Sequence, residues 1–321
     1  MRVLVTGGAG FIGSALVRAL LERGDQVRIL DNFSTGNPAN LDGVKHAGRL
    51  EVIEGDIRDA AALRASLEGI EVAFHEAAIA SVPQSLLDPV ENDRVNAGGT
   101  AELLHLARQA GVRRVVYAAS AAVYGDTTEL PLRESMPPAP LSPYGVSKYA
   151  GELYLRAFHR SYGMETVALR YFNVFGPRQD PRSPYSGVLS RFIAAYAAGK
   201  VPVIFGDGEQ TRDFVFVQDV VQANLLAADA PPSRVAGESF NVGTGEASSL
   251  LQMIGILRTL FPGAPEPRFE AERTGDVRFS RSDIRKISEA LGYQPSVSLA
   301  EGLRRTVEWF LRASHLAGRD A

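Results

Sequence analysis

The sequence has 321 residues, of which 45% are hydrophobic and 22% charged, with 34 Lys and Arg against 37 Asp and Glu and no Cys. These fractions exclude a disordered or fibrous chain, and the lack of cysteine excludes disulfides and thiolate sites. Basic residues do not exceed acidic ones, which argues against nucleic acid as a partner. No apolar stretch approaches the roughly 20 residues that span a bilayer, and the five histidines show no metal-ligand spacing. Strand-forming residues begin at Val3 and leave no room for a signal peptide, so we expect a cytoplasmic protein.

In chain order, the first half alternates short apolar runs with helical patterns. Predicted strands cover residues 3–6, 27–30, 50–54, 72–75, 115–119 and 166–169. The predicted helices between them start near Ile12 and cover 60–67, 97–110 and 144–162. This alternation is typical of βαβ units, and right-handed crossovers then favour a doubly wound parallel (Rossmann) α/β sheet.

The alternation weakens near Gly176. Beyond it, the sequence predicts helices over 188–198, 217–228 and 299–311 and strands over 201–205 and 239–242. We interpret this part as a smaller C-terminal α/β substrate domain. The predicted division is a dinucleotide-binding domain at 1–175 and a substrate domain at 176–321, with segments near 213–243 that could return to the first sheet.

A glycine-rich loop separates the first predicted strand from the first helix. Its glycines Gly7, Gly10 and Gly13 permit a tight turn and a close backbone approach to a pyrophosphate, for which the helix N-terminus supplies N–H donors. Glycines can also serve a turn alone, but the strand–loop–helix context favours dinucleotide binding.

Acidic residues follow the next two predicted strands. Asp31 lies 18 residues after Gly13, near the spacing of the acid that binds the adenosine ribose. Its charge would repel a 2′-phosphate, which favours NAD over NADP. Asp56 could contact the adenine. Either acid could instead simply cap a turn or helix.

Tyr144 and Lys148 lie four residues apart on a predicted helix and therefore share a face. A nearby ammonium lowers a tyrosine pKa from about 10, so the pair could take a proton from a sugar hydroxyl while NAD accepts a hydride. Ser120, at the end of a predicted parallel strand, could hydrogen-bond the developing carbonyl. Alternatively, Tyr144 and Lys148 could be an exposed pair on a helix surface, and Ser120 could cap a helix or turn.

Together, the glycine pattern, Ser120 and the stretch from Tyr144 to Lys148 resemble the extended short-chain dehydrogenase/reductase superfamily. Three further stretches, 75–78, 120–125 and 169–181, resemble nucleotide-sugar 4-epimerases of the UDP-glucose and UDP-N-acetylglucosamine type. The resemblance runs from Val3 to about residue 293. It implies an isomerase that uses NAD, with Tyr144 as the base, and passes through a 4-keto sugar.

The resemblance also implies the residues that hold each ligand. Expected cofactor contacts are Gly7, Gly10, Phe11, Ile12, Gly13, Asp31, Asn32, Asp56, Ile57, Ala77, Ala78, Asn96, Tyr144, Lys148 and Tyr171. Expected UDP-sugar contacts are Ser81, Ser120, Asn173, Val188, Leu189, Val203, Phe205, Arg212, Arg273, Asp276 and Ser280. A small residue at position 280 leaves room for an N-acetyl group, which predicts tolerance of UDP-GlcNAc and UDP-GalNAc.

Departures from related families narrow the reaction. Ala121 and Ala122 stand where related 4,6-dehydratases carry an Asp-Glu pair and decarboxylases a Glu, which favours epimerisation. A UDP-uronic acid 4-epimerase stays open, since the sequence does not show whether Arg178 or Arg182 reaches the C5 carboxylate that such an enzyme must bind. A one-way reductase on another nucleotide sugar also stays open. A non-catalytic NAD-binding sensor is the alternative outside enzymes. Analogy with the family suggests a homodimer.

Overall fold

The computed structural model describes residues 1–44, 47–179, 187–272 and 277–317. Within these ranges a seven-stranded, wholly parallel sheet forms the centre of the molecule. Its strands are β1 Arg2–Thr6, β2 Gln26–Asp31, β3 Leu50–Glu54, β4 Val72–His75, β5 Arg114–Ser120, β6 Glu165–Tyr171 and β7 Glu238–Val242. Their order across the sheet is β7-β6-β5-β4-β1-β2-β3. The predicted doubly wound parallel sheet is confirmed.

The strand order reverses between β1 and β4, which are adjacent in the sheet. In open parallel sheets, ligands bind outside the carboxyl ends of the strands at such a reversal. Both strands are short apolar runs, buried almost throughout because helices cover both faces of the sheet. The topology therefore predicts a ligand site among the loops that follow β1, β4 and β5.

Helices cover the sheet and build the C-terminal part. They are α1 Phe11–Arg23, α2 Ala60–Leu67, α3 Val82–Leu87, α4 Pro89–Asp93, α5 Gly99–Gln109, α6 Pro143–Tyr162, α7 Val188–Ala197, α8 Val217–Asp229, α9 Pro232–Val235, α10 Leu250–Leu260, α11 Arg285–Leu291 and α12 Leu299–Ala317. A π-helical turn at Arg94–Gly98 leads into α5, and short 3₁₀ helices lie at Pro38–Leu41, Ala47–Arg49 and Ala121–Tyr124. Within the described ranges, no helix has both the length and the apolarity that crossing a membrane requires.

Short strands complete the C-terminal part. Asn173–Phe175 pairs with Phe214–Phe216, Val203–Phe205 with Arg268–Glu270, and Thr211–Arg212 with Ser248–Ser249. One apolar cluster packs α1 and α8 against one face of the sheet, including β7, and a second packs α2, α5 and α6 against the opposite face. A third joins α7, α10 and α12. Since β7 and α8 belong to the first cluster, the segment 217–242 packs with the N-terminal sheet, while the domain boundary near residue 175 stays a prediction.

A buried ion pair fixes the long helix α6 to the sheet. Glu152 of α6 accepts two hydrogen bonds from the Arg170 guanidinium of β6, at 2.9 and 2.8 Å, and neither side chain is more than 1% exposed. Arg170 also donates to the Tyr124 hydroxyl at 2.8 Å, which in turn donates to Asn241 of β7 at 2.6 Å. This network sets the position of α6, two turns beyond Tyr144.

Candidate active site

A cavity of about 1950 Å³ opens at the carboxyl ends of the strands. It runs from the glycine loop after β1, past the ends of β4 and β5, to α7 and the strand Val203–Phe205. The predicted site residues that line it are Gly7, Gly10, Phe11, Ile12, Gly13, Asp31, Asn32, Asp56, Ile57, Ala77, Ala78, Ser81, Ser120, Tyr144, Lys148, Tyr171, Asn173, Val188, Leu189, Val203, Phe205 and Arg212. The fold thus brings most of the predicted positions to one cavity.

The glycine loop leaves no room for side chains. Gly7 has a φ of +68°, and a Cβ there would lie 2.8 Å from the Ala77 backbone. A Cβ at Gly13 would lie 2.1 Å from the Gly7 carbonyl oxygen. No side chain caps α1, so the N–H groups of its first turn remain for a ligand in the cavity. These features fit the pyrophosphate of a dinucleotide.

Acidic residues line the cavity at the ends of β2 and β3, where the sequence predicts that the adenosine binds. The buried Asp31 carboxylate accepts from the backbone N–H groups of Ala9 and Phe33, at 2.9 and 2.8 Å, and burial raises its pKa. It braces the loop, and each oxygen keeps a lone pair for a ribose hydroxyl. Asn32 donates to Asp56 at 2.9 Å, which joins the ends of β2 and β3.

Arg58 also lines this end, although sequence reasoning did not select it. Its guanidinium pairs with Asp56 at 2.8 Å and with Glu91 at 2.6 Å, and the hydrogen bonds from Arg58 lower the pKa of Asp56. Because two carboxylates already engage this cation, it does not weaken the preference for NAD over NADP. In the sequence, only its position four residues after the end of β3 indicates that Arg58 lies near the cavity.

Tyr144 and Lys148 project from α6 toward the end of β5, where Ser120 lies. The Ser120 hydroxyl is close enough to Tyr144 to lower the pKa of its phenol, and it accepts from the N–H of Ala122 at 3.2 Å. Lys148 is 3% exposed, and its Nζ donates to the Ala118 carbonyl at 2.8 Å. The three predicted catalytic side chains therefore meet at one point of the cavity.

The expectation that Lys148 lowers the pKa of Tyr144 is wrong for the protein alone. Burial raises the pKa of Tyr144, and the nearby Ser120 side chain opposes this rise. Burial likewise lowers the pKa of Lys148 to about 8, so its own charge is costly. A cationic nicotinamide ring in the cavity would add the positive charge that favours phenolate.

Glu76, directly after β4, is a cavity residue that sequence reasoning did not select as a site residue. Its Oε1 accepts from the Tyr171 hydroxyl at 2.8 Å, and that hydroxyl accepts from Asn224 of α8 at 2.7 Å. Burial raises the pKa of Glu76 to about 7, against the opposing effects of Tyr171 and Lys148. The position of Glu76 at the carboxyl end of a central strand could have indicated a site residue, whereas nothing in the sequence around Asn224 does.

Asn96 lies behind the wall of the cavity rather than on it. It is 1% exposed, accepts from the Ile79 N–H at 2.8 Å and donates to the Ser147 hydroxyl at 3.1 Å. Ser147 also donates to the Tyr144 carbonyl at 2.9 Å. Asn96 therefore ties the loop after β4 to the helix that carries Tyr144.

The opposite end of the cavity carries groups suited to a nucleotide. Arg212 and Asn173 line it, and the Asn173 N–H donates to the Asp213 carbonyl at 3.0 Å. Gln210, which sequence reasoning missed, donates to the Phe205 carbonyl at 2.7 Å, while its buried Oε1 has no partner within the described part of the chain. The predicted contacts Arg273 and Asp276 lie outside the described residues, as does Arg182.

Ser280 is not among the described residues that line the cavity. It is 8% exposed, and its N–H donates to the Thr211 carbonyl at 3.1 Å, beside Arg212. Its predicted influence on the width of the sugar pocket stays a prediction.

Comparisons with known proteins agree with this geometry. Residues 3–243 match the NAD dependent epimerase/dehydratase family. UDP-glucose 4-epimerase of Mycolicibacterium smegmatis is 44% identical over 321 residues, covering 98% of this chain and all of the relative. UDP-glucose 4-epimerase of Thermotoga maritima with UDP-glucose superposes with a TM-score of 0.92 at 40% identity, covering 98% of this chain and 100% of the other. UDP-N-acetylglucosamine 4-epimerase of Methanobrevibacter ruminantium M1 with UDP-N-acetylmuramic acid also superposes with a TM-score of 0.92, at 39% identity, covering 97% of this chain and 98% of the other. The chain therefore belongs to the NAD dependent epimerase/dehydratase family.

Proposed function

We propose that the protein is an NAD-dependent 4-epimerase of UDP-hexoses, acting on UDP-Glc and UDP-Gal and also on UDP-GlcNAc and UDP-GalNAc. The observation that carries the proposal is the meeting of Tyr144, Ser120 and Lys148 in the same cavity as the glycine loop. Ala121 and Ala122, which open the 3₁₀ helix after β5, offer no acid or base for dehydration. The two epimerase relatives with solved structures support the same reaction class.

Each side chain then has a defined task. Tyr144 takes the proton of the sugar 4-hydroxyl and later returns it, while Ser120 holds the same oxygen as it becomes a carbonyl. Lys148 binds the ribose of the cofactor. When bound, NAD would accept the hydride from C4 and return it to the opposite face of the sugar.

The far end of the cavity would hold the nucleotide. A guanidinium binds phosphate oxygens in a bidentate manner, which suits Arg212 to the diphosphate. The backbone of Val203 and Phe205 would meet the uracil, and Asn173, Val188 and Leu189 the remaining nucleotide surface. Family resemblance assigns the second arginine to Arg273 and the ribose acid to Asp276.

A substrate panel tests this proposal. Purified protein is incubated with individual UDP-hexoses without added NAD, and the sugars are separated afterwards. We expect C4 epimers to interconvert without net reduction of the nicotinamide. One-way reduction would overturn the proposal. Turnover confined to UDP-uronic acids would favour the alternative for which Arg178 is the candidate cation, since it lines the cavity half-buried.

Substrate breadth gives a separate prediction. Ser280→Tyr should reduce kcat/KM for UDP-GlcNAc at least about tenfold and leave that for UDP-Glc within about twofold, because a bulky ring takes the space of an N-acetyl group. Steady-state kinetics with both sugars measure this ratio, with Ser280→Ala as the matched control. Equal losses for both sugars would show that residue 280 does not select the C2 substituent.

We also propose that the protein is a homodimer that uses an apolar surface beside α6. This surface comprises Leu86, Leu87, Val90, Val146, Leu153 and Tyr154, each at least 42% exposed. Val146 and Leu153 lie two turns apart on α6, and the other aliphatic residues belong to the adjacent α3 and α4. Contiguous exposed apolar residues of this kind mark interaction surfaces.

Leu153→Glu should convert the dimer into a monomer, since it buries an unpaired charge in the interface. Size-exclusion chromatography with light scattering measures the mass. Val52→Glu is the control, because Val52 is equally exposed, at 45%, but lies on β3 at the far edge of the sheet. A dimer that persists in Leu153→Glu would place the interface elsewhere.

A further inference from the structure

Glu76 lies between the two parts of the site that a dinucleotide must join. It follows β4, whose neighbours are β1, which leads into the glycine loop, and β5, which ends at Ser120. The adjacent residue, Ala77, packs against Gly7. On its other side, the Lys148 ammonium is close enough to lower the pKa of Glu76. A nicotinamide that reaches from the glycine loop to Tyr144 therefore passes this carboxyl group.

A fixed relay of hydrogen bonds orients the Glu76 carboxyl. Both N–H groups of the Asn224 amide are engaged, one by the Val220 carbonyl at 2.9 Å and one by the Tyr171 hydroxyl at 2.7 Å. The Tyr171 hydroxyl must then donate its hydrogen to Oε1 of Glu76, at 2.8 Å. Oε2 carries no hydrogen bond from the described residues, and Glu76 lines the cavity. The relay thus favours a carboxylate that accepts, with one oxygen left to the cavity.

Glu76 and Lys148 each favour the charged form of the other. Lys148 acts on Glu76 from α6, and the Tyr171 hydroxyl contacts it from β6. The neighbouring His75, held between Thr6 and Thr100, has its pKa lowered to about 3 by burial and stays neutral. Lys148 is therefore the one full charge among these groups, and a second cation at the nicotinamide position would be opposed without Glu76.

We propose that Glu76 is a positioning residue that holds negative charge beside the bound nicotinamide and so sets the balance between its oxidised and reduced forms. The oxidised ring is a cation and the reduced ring is neutral, so a nearby carboxylate stabilises the oxidised form. An epimerase needs this balance, because a cofactor that remains reduced after the keto sugar departs stops turnover. The inference rests on the dinucleotide of the proposed function but not on the identity of the sugar.

The midpoint potential of the bound dinucleotide in the holoenzyme tests this role. It is measured by redox-dye titration, followed by the absorbance of the reduced nicotinamide. Glu76→Gln should raise the potential, shifting the ratio of oxidised to reduced cofactor about tenfold at fixed dye potential, or about 30 mV for two electrons. Glu91→Gln is the matched control, since Glu91 lines the same cavity at the adenosine end and pairs with Arg58.

A second variant and the control decide the outcome if the Glu76→Gln result is ambiguous. Tyr171→Phe leaves Glu76 in place but removes the hydroxyl that donates to it, so it should raise the midpoint potential by a smaller amount. This variant also tests the relay if Glu76→Gln does not fold. Equal potentials for wild type and both relay variants would overturn the inference, as would a shift of the same size in Glu91→Gln. A wild-type protein that binds no dinucleotide would instead refute the proposed function.

Discussion

Tyr144→Phe should lower kcat by about 10²- to 10⁴-fold, the range that a positioned acid–base group contributes. The change removes only the phenol oxygen, which lies near Ser120 at the end of β5. Because the glycine loop and Asp31 would hold the other half of the dinucleotide, we expect the variant to retain its NAD. Turnover of UDP-Glc, together with the NAD content of the purified protein, measures both effects.

Tyr149→Phe provides the matched control for this prediction. Tyr149 follows Lys148 on α6, but it packs against the cluster around Tyr124 and Phe172 instead of the cavity. It should keep kcat within about twofold. If Tyr144→Phe also retained most of its turnover, another group would have to move the proton, and the proposed roles of Tyr144 and Ser120 would fall together.

Glu152→Gln should lower the free energy of unfolding by about 3–5 kcal/mol, since it leaves the buried Arg170 guanidinium without its countercharge. The two hydrogen bonds at 2.9 and 2.8 Å are the main tie between α6 and β6 at this level of the sheet. At roughly 2 °C for each kcal/mol in a chain of this size, we expect Tm to fall by about 6–10 °C. Thermal and urea unfolding at a fixed concentration of NAD measure the change.

The control for this second prediction is Arg156→Ala. Arg156 lies one turn further along α6, is 37% exposed in its side chain and approaches Glu152 only at 3.9 Å. Exposed pairs of this kind contribute little, so Tm should change by less than about 2 °C. Equal destabilisation by both substitutions would indicate that α6 is sensitive to any change, rather than to the loss of a buried charge pair.

The fold was largely predictable because its signals are local. Short apolar runs and intervening amphipathic helices identified six strands of the sheet, with bounds within one or two residues. The seventh, Glu238–Val242, was predicted as a strand, but its place beside β6 depends on packing between distant segments. For the same reason, the sequence indicated only that residues near 213–243 could return to the first sheet.

The site was predictable where a residue type and its position coincide with a requirement of the chemistry. Tyr144 and Lys148 share a helix face, and Ser120 ends a parallel strand, so the sequence places all three. Glu76 was missed because its role depends on Tyr171 and on Asn224, which lies far along the chain. The direction of the Tyr144 pKa was also missed, because burial of a phenol is a property of the folded cavity.

The strand β7 has a consequence for how this chain acquires its structure during synthesis. β6 ends at Tyr171, whereas its outer partner begins at Glu238, so the edge of β6 stays without its neighbour until the intervening segment has emerged from the ribosome. An unsatisfied edge is a template for association with other chains. A fragment that stops at residue 175 would therefore aggregate rather than fold as an autonomous nucleotide-binding unit.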